Sequence, residues 1–295
     1  MAATEQPLLP QFTAQHHHEP YAAISPSRPE LSTAGKVVVI TGAAGGIGSA
    51  MSRAFVEAGA KDVVLLDLNQ TGLLKLKAEL EDLGSKSKIH PMVLDITNPL
   101  AVRDAFNTIE AVVGRKIDVL VNNAGYQNIN KPVLDFDIDE WWKCFEINVK
   151  GSFLVAVEFL RHCSPDNNSV LINVSSILAH YGVRQGYCTG HSAYCASKLA
   201  ITKAMDVLQE ELPMVRIVNL HPGLVPTAMS AKIGNTAYSL DSVNLPAHFS
   251  VWLASPEADF LKGRLVWSNW DVEEMKSRKD EILEKDLLRI ELTGI

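Results

Sequence analysis

Nowhere does the sequence stay apolar for the roughly 20 residues that a helical membrane span needs. No short apolar core follows its first residues, as a secretory signal would require. A soluble, cytoplasmic protein without a membrane partner is expected. Cysteine is scarce: Cys144, Cys163, Cys188 and Cys195 are the four, and none stands in CxxC spacing. That argues against a disulfide scaffold and reads as reduced thiols used for packing. A basic excess is missing too. Lys and Arg number 27 against 34 Asp and Glu, a formal net charge of −7, with no basic stripe. Nucleic acid is therefore not an expected partner. His16, His17 and His18 are adjacent, but no further ligands stand near them in sequence, so no metal is expected.

What is present is a globular composition, 47% hydrophobic and 21% charged over 295 residues. Residues 1–32 are rich in Pro, Gln, Ser and His without sustained periodicity, and predict a flexible arm, free or draped in part on the body. Residues 33–295 read as a single domain. Within it short apolar runs recur at 36–41, 62–67, 89–95, 117–121, 170–174, 215–220 and 263–267, each separated by a helix-length segment. Such alternation predicts parallel strands buried on both faces, with helical crossovers. The fold class is α/β, a doubly wound, mostly parallel, Rossmann-like sheet with helices on both faces. Residues 271–292 carry apolar positions at helical spacing and predict a terminal helical tail.

The first strand runs into Thr41-Gly42-Ala43-Ala44-Gly45-Gly46-Ile47-Gly48, and a helix follows. Glycine suits a turn where backbone must come close to a pyrophosphate, and the helix start offers free N–H groups to it. Asp67 ends the second strand, 19 residues beyond Gly48. A carboxylate there accepts from both adenosine ribose hydroxyls and repels a 2′-phosphate. Leu68 follows, and no Arg or Lys stands near to pair with a phosphate. NAD is the expected cofactor, with NADP as the alternative.

Tyr194 and Lys198 are four residues apart at the start of a long amphipathic segment, so they share one helix face. A phenol titrates near pH 10, and a neighbouring cation favours its ionised form. The pair is a candidate acid/base. Together with TGAAGGIG (41–48), Asp95, NNAG (122–125), Asn148, the serines 175–176, YCASK (194–198) and HPGLVPT (221–227), it makes the chain resemble the short-chain dehydrogenase/reductase family over about residues 35 to 230. The resemblance implies that Tyr194 donates or accepts the proton and that Lys198 lowers its pKa and binds the nicotinamide ribose. It implies that Ser176, the second of its pair, orients the substrate oxygen, and that Asn148 serves a proton relay. Gly42, Gly46, Ile47, Gly48, Asp67, Asp95, Asn122, Gly125, Tyr194, Lys198, Val225 and Thr227 become cofactor contacts by the same matching. Asn122 and Asn123 could instead be strand-end supports.

The gap from Ser176 to Tyr194 exceeds the family's usual spacing and predicts a longer loop beside the substrate, around Tyr181 to Gly190. Tyr181 and Tyr187 are rival tyrosines, but neither has Lys four residues on. The family's substrate lid falls near 228–250, where Met229, Ile233, Tyr238 and Leu245 suit an apolar molecule or could simply cover the core. Trp141 and Trp142 suit a subunit interface or the core. A homo-oligomer, dimer or tetramer, is expected. The ending, Val266-Trp267-Ser268-Asn269-Trp270-Asp271 before a charged tail, resembles a subgroup common in fungal secondary metabolism. The expected activity is hydride transfer between a nicotinamide cofactor and the secondary alcohol or ketone of a small, apolar molecule. The alternatives are an NAD-retaining epimerase or dehydratase, a non-catalytic dinucleotide sensor, or a serine hydrolase built on Gly190-His191-Ser192-Ala193-Tyr194. The last is disfavoured because the motif lacks its final glycine and a preceding strand.

Overall fold

The computed structural model describes residues 11–132, 134–164, 169–181, 188–232 and 241–291. Valine and isoleucine dominate the predicted runs, and these form a seven-stranded sheet in the order β3-β2-β1-β4-β5-β6-β7. The strands are β1 Val37–Thr41, β2 Asp62–Asp67, β3 Lys88–Val93, β4 Val119–Asn122, β5 Val170–Val174, β6 Arg216–His221 and β7 Leu265–Trp267. Every pairing is parallel.

The helices are α1 Gly46–Glu57, α2 Gln70–Glu81, α3 Pro99–Val113, α4 Ile138–Phe145, α5 Ser152–His162, α6 Ser192–Glu211, α7 Ala228–Lys232, α8 Asn244–Leu253, α9 Val272–Ser277 and α10 Lys279–Glu284. No helix among the described residues is long and apolar enough to cross a membrane. Successive strand residues point to opposite faces, so β1 feeds two cores. Val38 and Ile40 join the layer under α1, α2 and α8, whereas Val37 and Val39 join the layer under α3, α5 and α6. Local signals set the helix ends. Asn98 caps α3 by accepting from the Leu100 and Ala101 N–H groups, Pro99 opens it, and Gly114 ends it at φ 71°.

Two expectations need correction, and one open alternative is decided. Residues 11–32 are not a loose arm: Ile24 and Leu31 are fully buried, and His16 bridges antiparallel to Trp270. Their apolar side chains complete the α1–α8 layer, which the polar composition hid. The tail is not one helix. It breaks at Arg278 between α9 and α10, then turns through left-handed Asp286 and Leu288 so that the Leu288 carbonyl accepts from Leu265 N–H. Leu245 belongs to α8, which packs on α1, and it is fully buried core rather than lid. Met229 sits partly buried on α7, while Ile233, Tyr238 and Tyr187 lie outside the described residues.

Candidate active site

In a parallel sheet the loops at the carboxyl ends of the strands line one edge, and ligands bind where the strand order reverses. Here that reversal falls between β1 and β4. The same strand order sets the predicted residues in a row: Asp95 beyond β3, Asp67 on β2, the glycine turn after β1, Gly125 after β4, Ser176 after β5, and Val225 and Thr227 after β6.

The glycine turn is built for close approach. Gly42 has φ 64°, and a Cβ on it would stand 3.0 Å from the Ala124 Cα. A Cβ on Gly48 would meet the Gly42 carbonyl oxygen at 2.2 Å. Asn123 braces the turn by donating to the Thr41 carbonyl at 2.9 Å, while the Thr41 hydroxyl oxygen accepts from the Asn123 and Ala124 N–H groups. Unlike α3, α1 has no side-chain cap: Gly45 occupies that position, which leaves the first N–H groups of the helix for an anion. Across the groove, a Cβ on Gly46 would lie 3.5 Å from the Thr227 methyl group. The Asp67 carboxylate accepts from the N–H groups of Ala44 (3.0 Å) and Asn69 (2.9 Å), which fixes it beside the glycine turn. Asp95 is exposed and accepts from the backbone N–H and the hydroxyl of Thr97. Ile47 is partly buried against the core. Asn122 is only 1% exposed, and its amide donates to the Ser152 carbonyl at 3.0 Å. Its side chain thus supports the end of β4.

At the other end of the row, α6 carries Tyr194 and Lys198 on one face. Lys198 is buried; its ammonium donates to the Val174 carbonyl at 2.7 Å and lies 5.8 Å from the Tyr194 ring centroid. Burial pushes the Tyr194 phenol up to about 12, opposed by a hydrogen bond with Ser176. Burial also pulls Lys198 down to about 8. Among the protein's own groups, burial thus outweighs the expected pull of the cation on the phenol. Ser175 is spent elsewhere, with its hydroxyl 2.7 Å from that of Thr202, so Ser176 is the serine that faces Tyr194. The turn carrying Ser176 is held by His221. That ring is buried, kept neutral by desolvation, and accepts from the Ile177 N–H at 3.0 Å.

Asn148 lies in a π-helical stretch, Glu146–Gly151, between α4 and α5. Such bulges recur at functional sites because they break the regular helix ladder. Its side chain is fully buried: Oδ1 accepts from Tyr126 N–H at 2.7 Å, and Nδ2 donates to the Tyr126 carbonyl at 2.8 Å and the Ser197 hydroxyl at 3.0 Å. A Cβ on Gly125 would stand 3.3 Å from Asn148 Oδ1 and 3.5 Å from Lys198 Nζ. Asn148, Gly125, Lys198, Tyr194 and Ser176 are therefore one cluster. Sequence reasoning missed Ser197, which joins Asn148 to α6. It also missed His191, whose ring nitrogens meet the amides of Gln127 (2.8 Å) and Asn130 (3.0 Å) and brace the first turn of α6. No local motif marks either one.

The buried lysine has a measurable cost. Its native pKa lies below the 10.5 of an exposed lysine, so the unfolded chain holds this proton more tightly. The penalty is complete below about pH 8 and fades as pH rises towards 10.5. Lys198→Met is thus expected to melt about 2–4 °C above wild type at pH 7. The advantage should shrink by pH 10, while turnover is lost. Melting curves that stay parallel across that range would show that Lys198 is not desolvated.

The family model described as short chain dehydrogenase matches residues 36–237. The short chain dehydrogenase mpl6 of Monascus purpureus is 32% identical over 296 residues, covering 95% of this chain and 96% of its own. A short chain dehydrogenase/reductase of Claviceps purpurea is also 32% identical, over 93% of this chain and 91% of its own. Among solved structures, an NAD+-bound xylitol dehydrogenase superposes with a TM-score of 0.69 at 27% identity, over 80% of this chain and 98% of its own.

Proposed function

This chain belongs to the short-chain dehydrogenase family, and from that premise we propose that it is an NAD-dependent oxidoreductase acting on the secondary alcohol or ketone of a small, apolar molecule. The observation that carries this reading is the row along the carboxyl edge, which ends in the cluster of Ser176, Tyr194, Lys198 and Asn148. A nicotinamide dinucleotide lying along that row supplies the hydride acceptor or donor and, when oxidised, a positive ring charge that favours the Tyr194 phenolate.

The chain's own residues do the rest. Tyr194 gives its proton to the carbonyl oxygen in reduction and takes the hydroxyl proton in oxidation. Ser176 hydrogen-bonds the same oxygen and stabilises charge developing there. Lys198, held by Val174, keeps a cation beside the phenol and reaches the ribose. Asn148 tethers the 126 segment to α6 and, through an Oδ1 lone pair, holds a water that serves a proton relay. Asp67 and Asp95 hold the adenosine end, the turn from Gly42 to Gly48 holds the phosphates, and Val225 and Thr227 hold the carboxamide. Met229 on α7 contributes to an apolar lid. Trp142 is 58% exposed and stacks with Trp141 and Phe145, an aromatic face suited to a second subunit. Reduced cysteines fit a cytoplasmic setting.

Fluorescence titration with NADH and NADPH in parallel, followed by a panel of secondary alcohols with NAD+, tests the reading. NADH should bind more tightly, and one or more alcohols should turn over with release of NADH. Asp67→Ala should weaken NADH about tenfold, the worth of a charge-assisted hydrogen bond, and narrow the gap to NADPH. Tighter binding of NADPH by wild type would overturn the Asp67 assignment. Retention of the nicotinamide without net turnover would favour an epimerase.

A further inference from the structure

Outside the cluster, one buried carboxylate joins three distant parts of the chain. Asp241 is 5% exposed. Its Oδ2 accepts from the Leu224 N–H at 2.5 Å, and its own N–H donates to the Leu224 carbonyl at 3.3 Å. Its Oδ1 accepts from the Asn269 amide at 3.0 Å and from the His18 Nδ1–H at 2.6 Å. His18 belongs to the N-terminal segment, which is laid along the turn after β7. The His17 N–H donates to the Asn269 carbonyl at 2.7 Å, the Asn269 amide donates to the His17 carbonyl at 2.9 Å, and the Ser242 N–H donates to the His18 carbonyl at 2.8 Å. The fit at Gly223 is tight: it has φ 86°, and a Cβ there would stand 2.5 Å from Asp241 Oδ2. Only glycine lets the carboxylate come this near.

Leu224 directly precedes Val225, and Thr227, two residues further on, has its methyl group 3.5 Å from where a Cβ on Gly46 would lie. We infer that Asp241 is a positioning residue that sets where Val225 and Thr227 stand against the nicotinamide end of the cofactor, with His18 as the N-terminal strap's hold upon it. This rests on the dinucleotide reading above. The physical case is that a buried carboxylate is kept in place only by its donors. Here the donors come from residue 18, residue 224 and residue 269, so the β6 loop takes its position from the N-terminal segment and from the turn after β7. An amide at 241 could not serve all three, because its NH2 group would face another donor.

The test compares NADH with ADP-ribose, which shares everything with it except the nicotinamide. Asp241→Asn is expected to weaken NADH about tenfold while ADP-ribose stays within about twofold, as for one lost buried hydrogen bond. His18→Ala should lose NADH selectively but less, and His18→Asn, whose amide can occupy the Nδ1 position, should recover part of that loss. Equal losses for both ligands, or none for either, would overturn the proposal and leave Asp241 a stability residue. Where Asp241→Asn fails to fold, the half-exposed His18 variants carry the same comparison. A wild-type protein that binds neither ligand overturns the dinucleotide reading itself, whereas one that binds both with unselective variants overturns only the role of Asp241.

Discussion

Tyr194→Phe is expected to lower turnover by roughly two to four orders of magnitude, the usual worth of a positioned acid/base, while NADH binds as before. The substitution removes one oxygen and keeps the ring under Lys198, 5.8 Å from its centroid, so the cofactor side of the cluster is untouched. The direction of the pKa adds a signature. With the phenol pushed up to about 12 it is neutral at ordinary pH, ready to donate. Ketone reduction should therefore vary little with pH around neutrality, and alcohol oxidation, which needs the phenolate, should climb as pH rises. Steady-state rates in both directions and one NADH titration are sufficient. Wild-type turnover in the variant would remove Tyr194 from the chemistry, and lost NADH affinity would make it a binding residue instead.

Gly48→Ala is expected to weaken NADH about a hundredfold and to destabilise the fold by about 1–3 kcal/mol, the range for overpacking a tight site. The added Cβ would meet the Gly42 carbonyl oxygen at 2.2 Å and Asn123 Nδ2 at 2.8 Å. One obstacle is backbone, and the other is the side chain that pins the turn to β1, so neither can swing away at low cost. Gly45→Ala is the control, since its Cβ would sit 3.4 Å from the same oxygen, ordinary contact. Thermal melts and NADH titrations of the two variants should differ sharply. Equal behaviour would mean that the turn is loose and that its glycines serve flexibility rather than approach.

The parts legible in the sequence share one trait: their geometry is set within a few residues. Valine-rich runs between helix-length segments imply a parallel sheet because crossovers must cover both faces. Tyr194 and Lys198 share a face because a helix turns every 3.6 residues. Glycines directly after a strand mark a close turn because only they admit φ 64° at Gly42 and the approach at Gly48. The choice of Ser176 over Ser175, by contrast, rested on the resemblance to the family and not on local geometry.

What stayed hidden depends on partners far away in sequence. Asn122 ends β4 and looked like a cleft residue, but strand alternation points it at Ser152 on α5. The N-terminal residues looked solvated because their composition is polar. They are held by backbone pairing with the turn after β7, a kind of bond that composition does not encode. His18 and Asp241 lie 223 residues apart, and nothing near either marks the other.

By itself the sequence determined the strand and helix succession and the glycine turn after β1, and it put Tyr194 and Lys198 on one helix face. Each follows from local backbone geometry and side-chain period. Only the tertiary structure decided that Lys198 rests on Val174, that burial rather than charge dominates the Tyr194 phenol, and that His18 and Asn269 meet at Asp241. Burial and long-range hydrogen bonds come from the order in which strands assemble, and that order exists only once the chain has closed on itself.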